Sequence, residues 1–125
     1  MELEINQILH NSFIVKHTQT ALNFYQGVLG LKVDESRPDL GYPGAWLNVG
    51  GQQIHLLELP NPDPVTGRPA HGGRDRHVAL AINDIDALQK KLEQAGLEFT
   101  RSKSGRKALF TRDPDGNALE FIEGK

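Results

Sequence analysis

One pattern constrains this chain more than any other: its second half repeats its first at an offset of about 66 residues. GVLGLKV (27–33) is matched by EQAGLEF (93–99), with Gly30 and Gly96 in register, and GGQQIHLLE (50–58) is matched by GNALEFIEG (116–124). Four residues with metal-ligating side chains share the offset, His10 with His77 and His55 with Glu120. Repetition at this period means that one supersecondary unit is used twice. A unit of about 60 residues is marginal for burying a core of its own, so it should pack against its copy.

Hydrophobic periodicity predicts the order β-α-β-β-β in each copy. Residues 5–15 (INQILHNSFIV) end in a β-branched, aromatic-rich run that reads as a strand. Ala21, Leu22, Tyr25, Val28 and Leu29 mark one face of a helix, with Thr18 as its N-cap and Gly30 as its stop. Strands follow at 31–36, 45–50 and 52–59, with Gly50-Gly51 as a hairpin signal. Residues 60–75, with four prolines, three glycines and no apolar pattern, read as an exposed linker or a loop over a site. The order then restarts with a strand at 76–82. A capping box of Asn83 and Asp86 opens a helix striped by Ile85, Leu88, Leu92 and Ala95 and stopped by Gly96. Strands at 97–102, 107–112 and 118–123 complete it, with DPDGN (113–117) as the last turn. The predicted fold is α+β: one domain over 1–125, with modules at 5–59 and 76–123 joined by the 60–75 loop. Pseudo-twofold symmetry would curve a mixed sheet around a cleft.

Composition narrows the function classes. A net charge of −2 offers no basic field for nucleic acid. No apolar run reaches the roughly 20 residues of a membrane helix, and MELEINQILHNS has no signal-peptide pattern, so a cytoplasmic protein is expected. With no cysteine, any metal must be held by N and O donors.

Side chains alternate along a strand, so His10 shares a face with Ser12 and Ile14, His77 with Ala79 and Ala81, His55 with Gln53 and Leu57, and Glu120 with Ala118 and Ile122. Small or apolar same-face neighbours leave room for a substrate. A carboxylate in the LEF setting of Glu120 demands a cation or donors, because burying it alone costs several kcal/mol. Three imidazoles and one carboxylate brought to one centre suit Zn²⁺, Ni²⁺, Co²⁺, Mn²⁺ or Fe²⁺. A single strand histidine is more often structural, and it is the pairing that raises the metal reading. His17 and His71 read as solvent-facing, Glu58 lies on the wrong strand face for the same centre, and Trp46 reads as core or pocket wall. Arg101, Lys103, Arg106 and Lys107 read as a solvated hairpin tip, with attraction of an anionic substrate as the functional alternative.

With these residues in hand, the chain resembles the vicinal oxygen chelate superfamily, which comprises the glyoxalases, bleomycin resistance proteins and extradiol dioxygenases. The matching segments are His10 before the strand leading to ALNFYQGVLGLKV, then GGQQIHLLE, RHVALAI and FTRDPDGNALEF, so that residues 6–123 are covered. The resemblance implies a metal between paired modules, held at His10, His55, His77 and Glu120. It also implies a homodimer with sites completed within or across chains, and a metal-dependent lyase, isomerase or transferase acting on a small oxygenated substrate, anionic or thiol-conjugated. Glu120 would also shuttle a proton. The enzyme implied is lactoylglutathione lyase-like, but glyoxalase I has a glutamate, as ligand and proton-transfer base, where this chain has His55, and that departure from the pattern weighs against the classical glyoxalase I activity. The alternatives are a non-catalytic binding protein of the bleomycin-resistance type and an enzyme like the extradiol dioxygenases.

Overall fold

The computed structural model describes residues 2–124 and contains the repeated β-α-β-β-β order as two four-stranded sheets. The first joins β1 (His10–Val15), β2 (Lys32–Val33), β3 (Gly44–Val49) and β4 (Gln52–Glu58) in the order β1-β4-β3-β2. The second joins β5 (His77–Ile82), β6 (Phe99–Arg101), β7 (Ala108–Arg112) and β8 (Ala118–Glu123) in the equivalent order β5-β8-β7-β6. β1–β4 and β5–β8 pair in parallel and the remaining ladders are antiparallel, so both sheets are mixed. Among the described residues, no helix is long and apolar enough to cross a membrane.

Strand ends differ from the periodicity for local reasons. The strand predicted at the end of 5–15 starts at His10, because its parallel partner β4 begins only at Gln52 and the register pairs His10 with Gln53. The strand predicted over 31–36 stops at Val33, since the Asp34 carboxylate accepts from the Ser36 N–H and hydroxyl and turns the chain. The predicted linker carries a short 3₁₀ turn, Gly72–Arg74.

The two helices start by an equivalent device. Helix α1 (Thr18–Leu22) has His17 rather than Thr18 at its N-cap, and its first N–H is taken by Glu58 Oε1 at 2.7 Å. Helix α2 (Ile85–Gln94) is capped by Asp84, one residue after the predicted Asn83, with its side chain accepting from Ala87 N. Its first N–H is taken by Glu123 Oε1, also at 2.7 Å. Glu58 and Glu123 are the last residues of β4 and β8, so each module ties its helix to its own fourth strand with a carboxylate. The first helix then widens into a π-helical stretch, Asn23–Val28, in place of the uniform α-helix its spacing predicts. Gly30 (φ 76°) and Gly96 (φ 70°) end the two helical segments in the left-handed conformation that favours glycine.

Both helical segments cover the same kind of sheet face. Val15, Ala45, Leu47, Ile54 and Leu56 from the first sheet join Leu109, Leu119 and Phe121 from the second in one buried cluster with Phe24, Tyr25, Ile85, Leu88 and Leu92. The modules therefore share a core, as their size requires. They are also pinned by a polar tie: the Tyr25 hydroxyl donates to Asp113 Oδ2 at 2.7 Å, and Asp113 accepts further bonds from Asp115 N, Asn117 N and Asn117 Nδ2. Burial holds the Asp113 carboxyl above its usual range and the Tyr25 hydroxyl well above its own. Tyr25→Phe removes one donor from a buried acid and is expected to cost about 1–3 kcal/mol of unfolding free energy. Urea denaturation with a lowered midpoint at constant slope would show it; an unchanged midpoint would contradict the tie.

Candidate metal centre on the open sheet faces

Because the apolar residues of one parity face the shared core, those of the other parity lie on the opposite face. This face is partly exposed in the first sheet but covered at β7 and β8 of the second, where Phe110, Ala118 and Glu120 are buried and Gly72 of the long loop packs against Phe110 and Ala118. On the first sheet this face carries His10, His55 and Trp46, with Trp46 directly opposite His55 across the β3–β4 ladder. On the second it carries His77, Glu120 and Phe110, with Phe110 directly opposite Glu120 across β7–β8. The repeat thus extends to the aromatic beside each fourth-strand ligand position. The four predicted residues form two pairs, and among the described residues no three metal-ligating side chains gather into one group.

The second pair has a geometry that invites a cation. His77 Nδ1 lies 2.9 Å from the Asp75 carbonyl oxygen, which can only accept, so the ring proton belongs on Nδ1. Nε2 then presents a lone pair toward Glu120 Oε1 at 3.3 Å. Two acceptors facing each other need something positive between them, a proton or a metal ion, and an imidazole nitrogen with a carboxylate oxygen is an apt divalent-metal donor set. Arg106 Nη2 holds the other oxygen, Oε2, at 3.0 Å, so the buried carboxylate is not left unpaired. Phe110 packs edge-on against His77, with centroids 5.3 Å apart.

The first pair is arranged differently. His10 and His55 stack at 3.9 Å with 13° between planes, and Trp46 stacks on the other side of His55 at 4.5 Å and 9°. Lone pairs lie in the ring plane, so parallel imidazoles cannot both point at one ion until a ring turns. His55 is further engaged: Gln53 donates from Nε2 to Asp34 Oδ2 and Asn48 Oδ1, which fixes its Oε1 as the acceptor for His55 Nε2–H at 2.8 Å. Desolvation first, then the charges of His10 and Arg37, lower the His55 pKa and favour its neutral form.

Other residues fall away from the centre or gain roles that the sequence hid. Glu58 caps a helix, as its face required. His71 is partly buried rather than solvent-facing, hydrogen-bonded to Thr100 Oγ1 at 2.8 Å and edge-on to Phe110. Of the basic cluster, Arg101 pairs with Asp86, and Lys107 pairs with Asp86 and Glu123, whereas Arg106 turns in to Glu120. The unforeseen hub is Asp75, at the end of the loop. Its carboxylate takes both Arg68 Nε and Nη2 and also Arg112 Nη1, while its carbonyl takes His77. The two aspartates of the Pro/Gly loop gave no sign of this, because Arg112 arrives from β7 and no spacing rule pairs Asp75 with Arg68 of its own loop.

Comparison with known proteins agrees with this architecture. The family model described as Glyoxalase/Bleomycin resistance protein/Dioxygenase superfamily matches residues 5–121. Among curated proteins, Glyoxylase I 4 of Arabidopsis thaliana is 33% identical over 95% of this chain and 71% of its own length. A lactoylglutathione lyase of Haemophilus influenzae is 32% identical over 95% of this chain and 93% of its own. Among solved structures, a glyoxalase family protein from Bacillus anthracis superposes with a TM-score of 0.82 at 25% identity, with both chains wholly covered.

Asp75 gives the site a pH signature. The Arg68 hydrogen bonds, followed by those of Arg112 and the Arg76 N–H, hold its carboxyl far below the ordinary 3.8. A carboxyl depressed in the folded state stabilises fully above its unfolded pKa and loses that contribution as pH falls toward the folded value. Stability is therefore expected to drop as pH falls below about 4, and Asp75→Asn is expected to flatten that part of the profile while lowering stability at neutral pH. Thermal unfolding followed from pH 7 to pH 2 decides; an acid limb of equal steepness in both proteins would remove Asp75 from this role.

Proposed function

Since the chain belongs to the glyoxalase/bleomycin resistance protein/dioxygenase superfamily, we propose that it is a metal-dependent enzyme of the lyase, isomerase or transferase type. Its substrate is a small oxygenated molecule, and His10, His55, His77 and Glu120 form the metal donor set. The observation that carries this reading is the His77 Nε2 lone pair aimed at Glu120 Oε1, with the ring proton committed to the Asp75 carbonyl. A backbone carbonyl that takes the proton of one ring nitrogen is the usual means of presenting the other nitrogen to an ion. A bound divalent ion would supply Lewis acidity toward a substrate oxygen.

The chain's own residues then divide the work. Glu120 anchors through Oε1 while Arg106 steadies Oε2, so Glu120 takes up a substrate proton only after releasing one of these partners. His10, exposed at the start of β1, turns freely into the donor set, whereas His55 must first leave Gln53 and its stack with Trp46. Each half-site holds two donors, and a second copy of the chain completes it in this reading, first sheet against second. A binding protein without turnover is the second reading, and the His10–His55–Trp46 stack is the observation in its favour, because it offers flat aromatic surface rather than converging lone pairs.

Metal analysis tests both readings. Glu120→Gln is expected to weaken Co²⁺ or Zn²⁺ binding by roughly 10- to 100-fold, and His55→Ala by less; a wild-type chain that takes up neither ion would leave the binding-protein reading. Mixing His10→Ala with Glu120→Gln chains after joint refolding is expected to restore about one quarter of the wild-type sites, because a heterodimer of two-fold symmetry keeps one intact site. No recovery on mixing would place the donors within one chain.

A further inference from the structure

Each module carries an arginine in the connection between its second and third strands, and among the described residues only one of the two has a partner of opposite charge. In the second module Arg106, from the connection between β6 and β7, binds Glu120. In the first, the connection between β2 and β3 supplies Arg37, whose Nη2 donates to the Tyr42 carbonyl at 2.9 Å and whose guanidinium lies 5.3 Å from the Tyr42 ring centroid. Gly44 is hemmed in there: a Cβ would clash first with the Leu56 carbonyl oxygen and would fall 3.0 Å from Arg37 Nη2. Gly44 precedes Trp46 by two residues on β3, so the guanidinium stands beside the Trp46 end of that strand, and its charge reaches His55.

Arg37 is half-buried, its Nε is shut away from solvent without a hydrogen-bond partner, and among the described residues it is in no ion pair. A partly desolvated guanidinium is costly without an anion, and an imidazole at position 55 cannot neutralise it as the Glu120 carboxylate neutralises Arg106. We propose that Arg37 is an anion-binding residue of the first open face, and that its ligand is a carboxylate on a planar molecule. The guanidinium edge matches a carboxylate in shape and charge, and the Trp46–His55 stack beside it offers a flat surface for the rest of the molecule. The histidine at position 55 is what leaves this arginine free for substrate.

This names the substrate class for the face described above and rests on its reading as the substrate side, but it needs no metal. The test is therefore run on full-length chain dialysed free of metal, titrated with benzoate at constant ionic strength, with chloride as the replaced anion. The indole N–H of Trp46, the one tryptophan in the chain, reports by NMR. A saturable shift is expected in the wild type. Arg37→Gln is expected to weaken it by roughly tenfold or more, and His55→Glu to weaken it similarly by giving Arg37 an internal partner. Should Arg37→Gln fail to fold, His55→Glu alone decides. Absence of a saturable response in the wild type, or His55→Glu binding benzoate as tightly as the wild type, would overturn the proposal; metal uptake, measured separately on the wild type, tests the donor set and not Arg37.

Discussion

Each four-stranded sheet has one helical segment to cover one of its faces, and the other features of the molecule follow from which face that is. Alternation along the strand sends Ile54 and Leu56 to the shared core and His55 to the opposite face, and sends Leu119 and Phe121 to the core and Glu120, itself buried, to the opposite face. Neither module could close its own core at about 60 residues. The two helix-covered faces therefore merge into one cluster, and the opposite faces carry the ligand-type residues, half-exposed in the first sheet and covered by the long loop in the second. The pairing of His10 with His55, and of His77 with Glu120, is a by-product of two parallel ladders in equivalent register.

What distinguishes the two open faces is their supporting hydrogen bonds. In the second module a loop aspartate, held by two arginines, offers its carbonyl to His77 and leaves the opposite nitrogen toward a carboxylate. In the first, a glutamine oriented by Asp34 and Asn48 holds His55 by its Nε2–H inside an aromatic stack. The same backbone template thus presents a cation-seeking pair on one side and a flat, neutral surface flanked by an unpaired guanidinium on the other. This asymmetry traces to position 55, where an imidazole replaces the carboxylate that its repeat-mate Glu120 supplies.

Legibility in the sequence followed the range of the interaction. Helix stripes, the Gly30 and Gly96 stops, the last strand at 118–123 and the open-face positions of all four ligand-type residues were readable, because each depends on period-2 or period-3.6 spacing or on the backbone freedom of glycine. Strand starts were less so, since β1 begins where its distant partner β4 begins. The solvent-facing reading of His71 failed because Thr100 and Phe110, which enclose it, lie about thirty to forty residues away. The basic cluster read as one patch, yet partners on α2 and β8 draw Arg101 and Lys107 outward and Arg106 inward.

The sequence by itself determined the doubled module, the share of each strand that is dry, and the identity of the residues on the open faces, since all of these are consequences of local periodicity. Only the tertiary structure decided how those residues are used. Where a ring nitrogen carries its proton, which arginine finds a carboxylate and which does not, and whether four donors meet in one chain or stand as two pairs depend on groups brought together across long loops. No spacing rule encodes those distances.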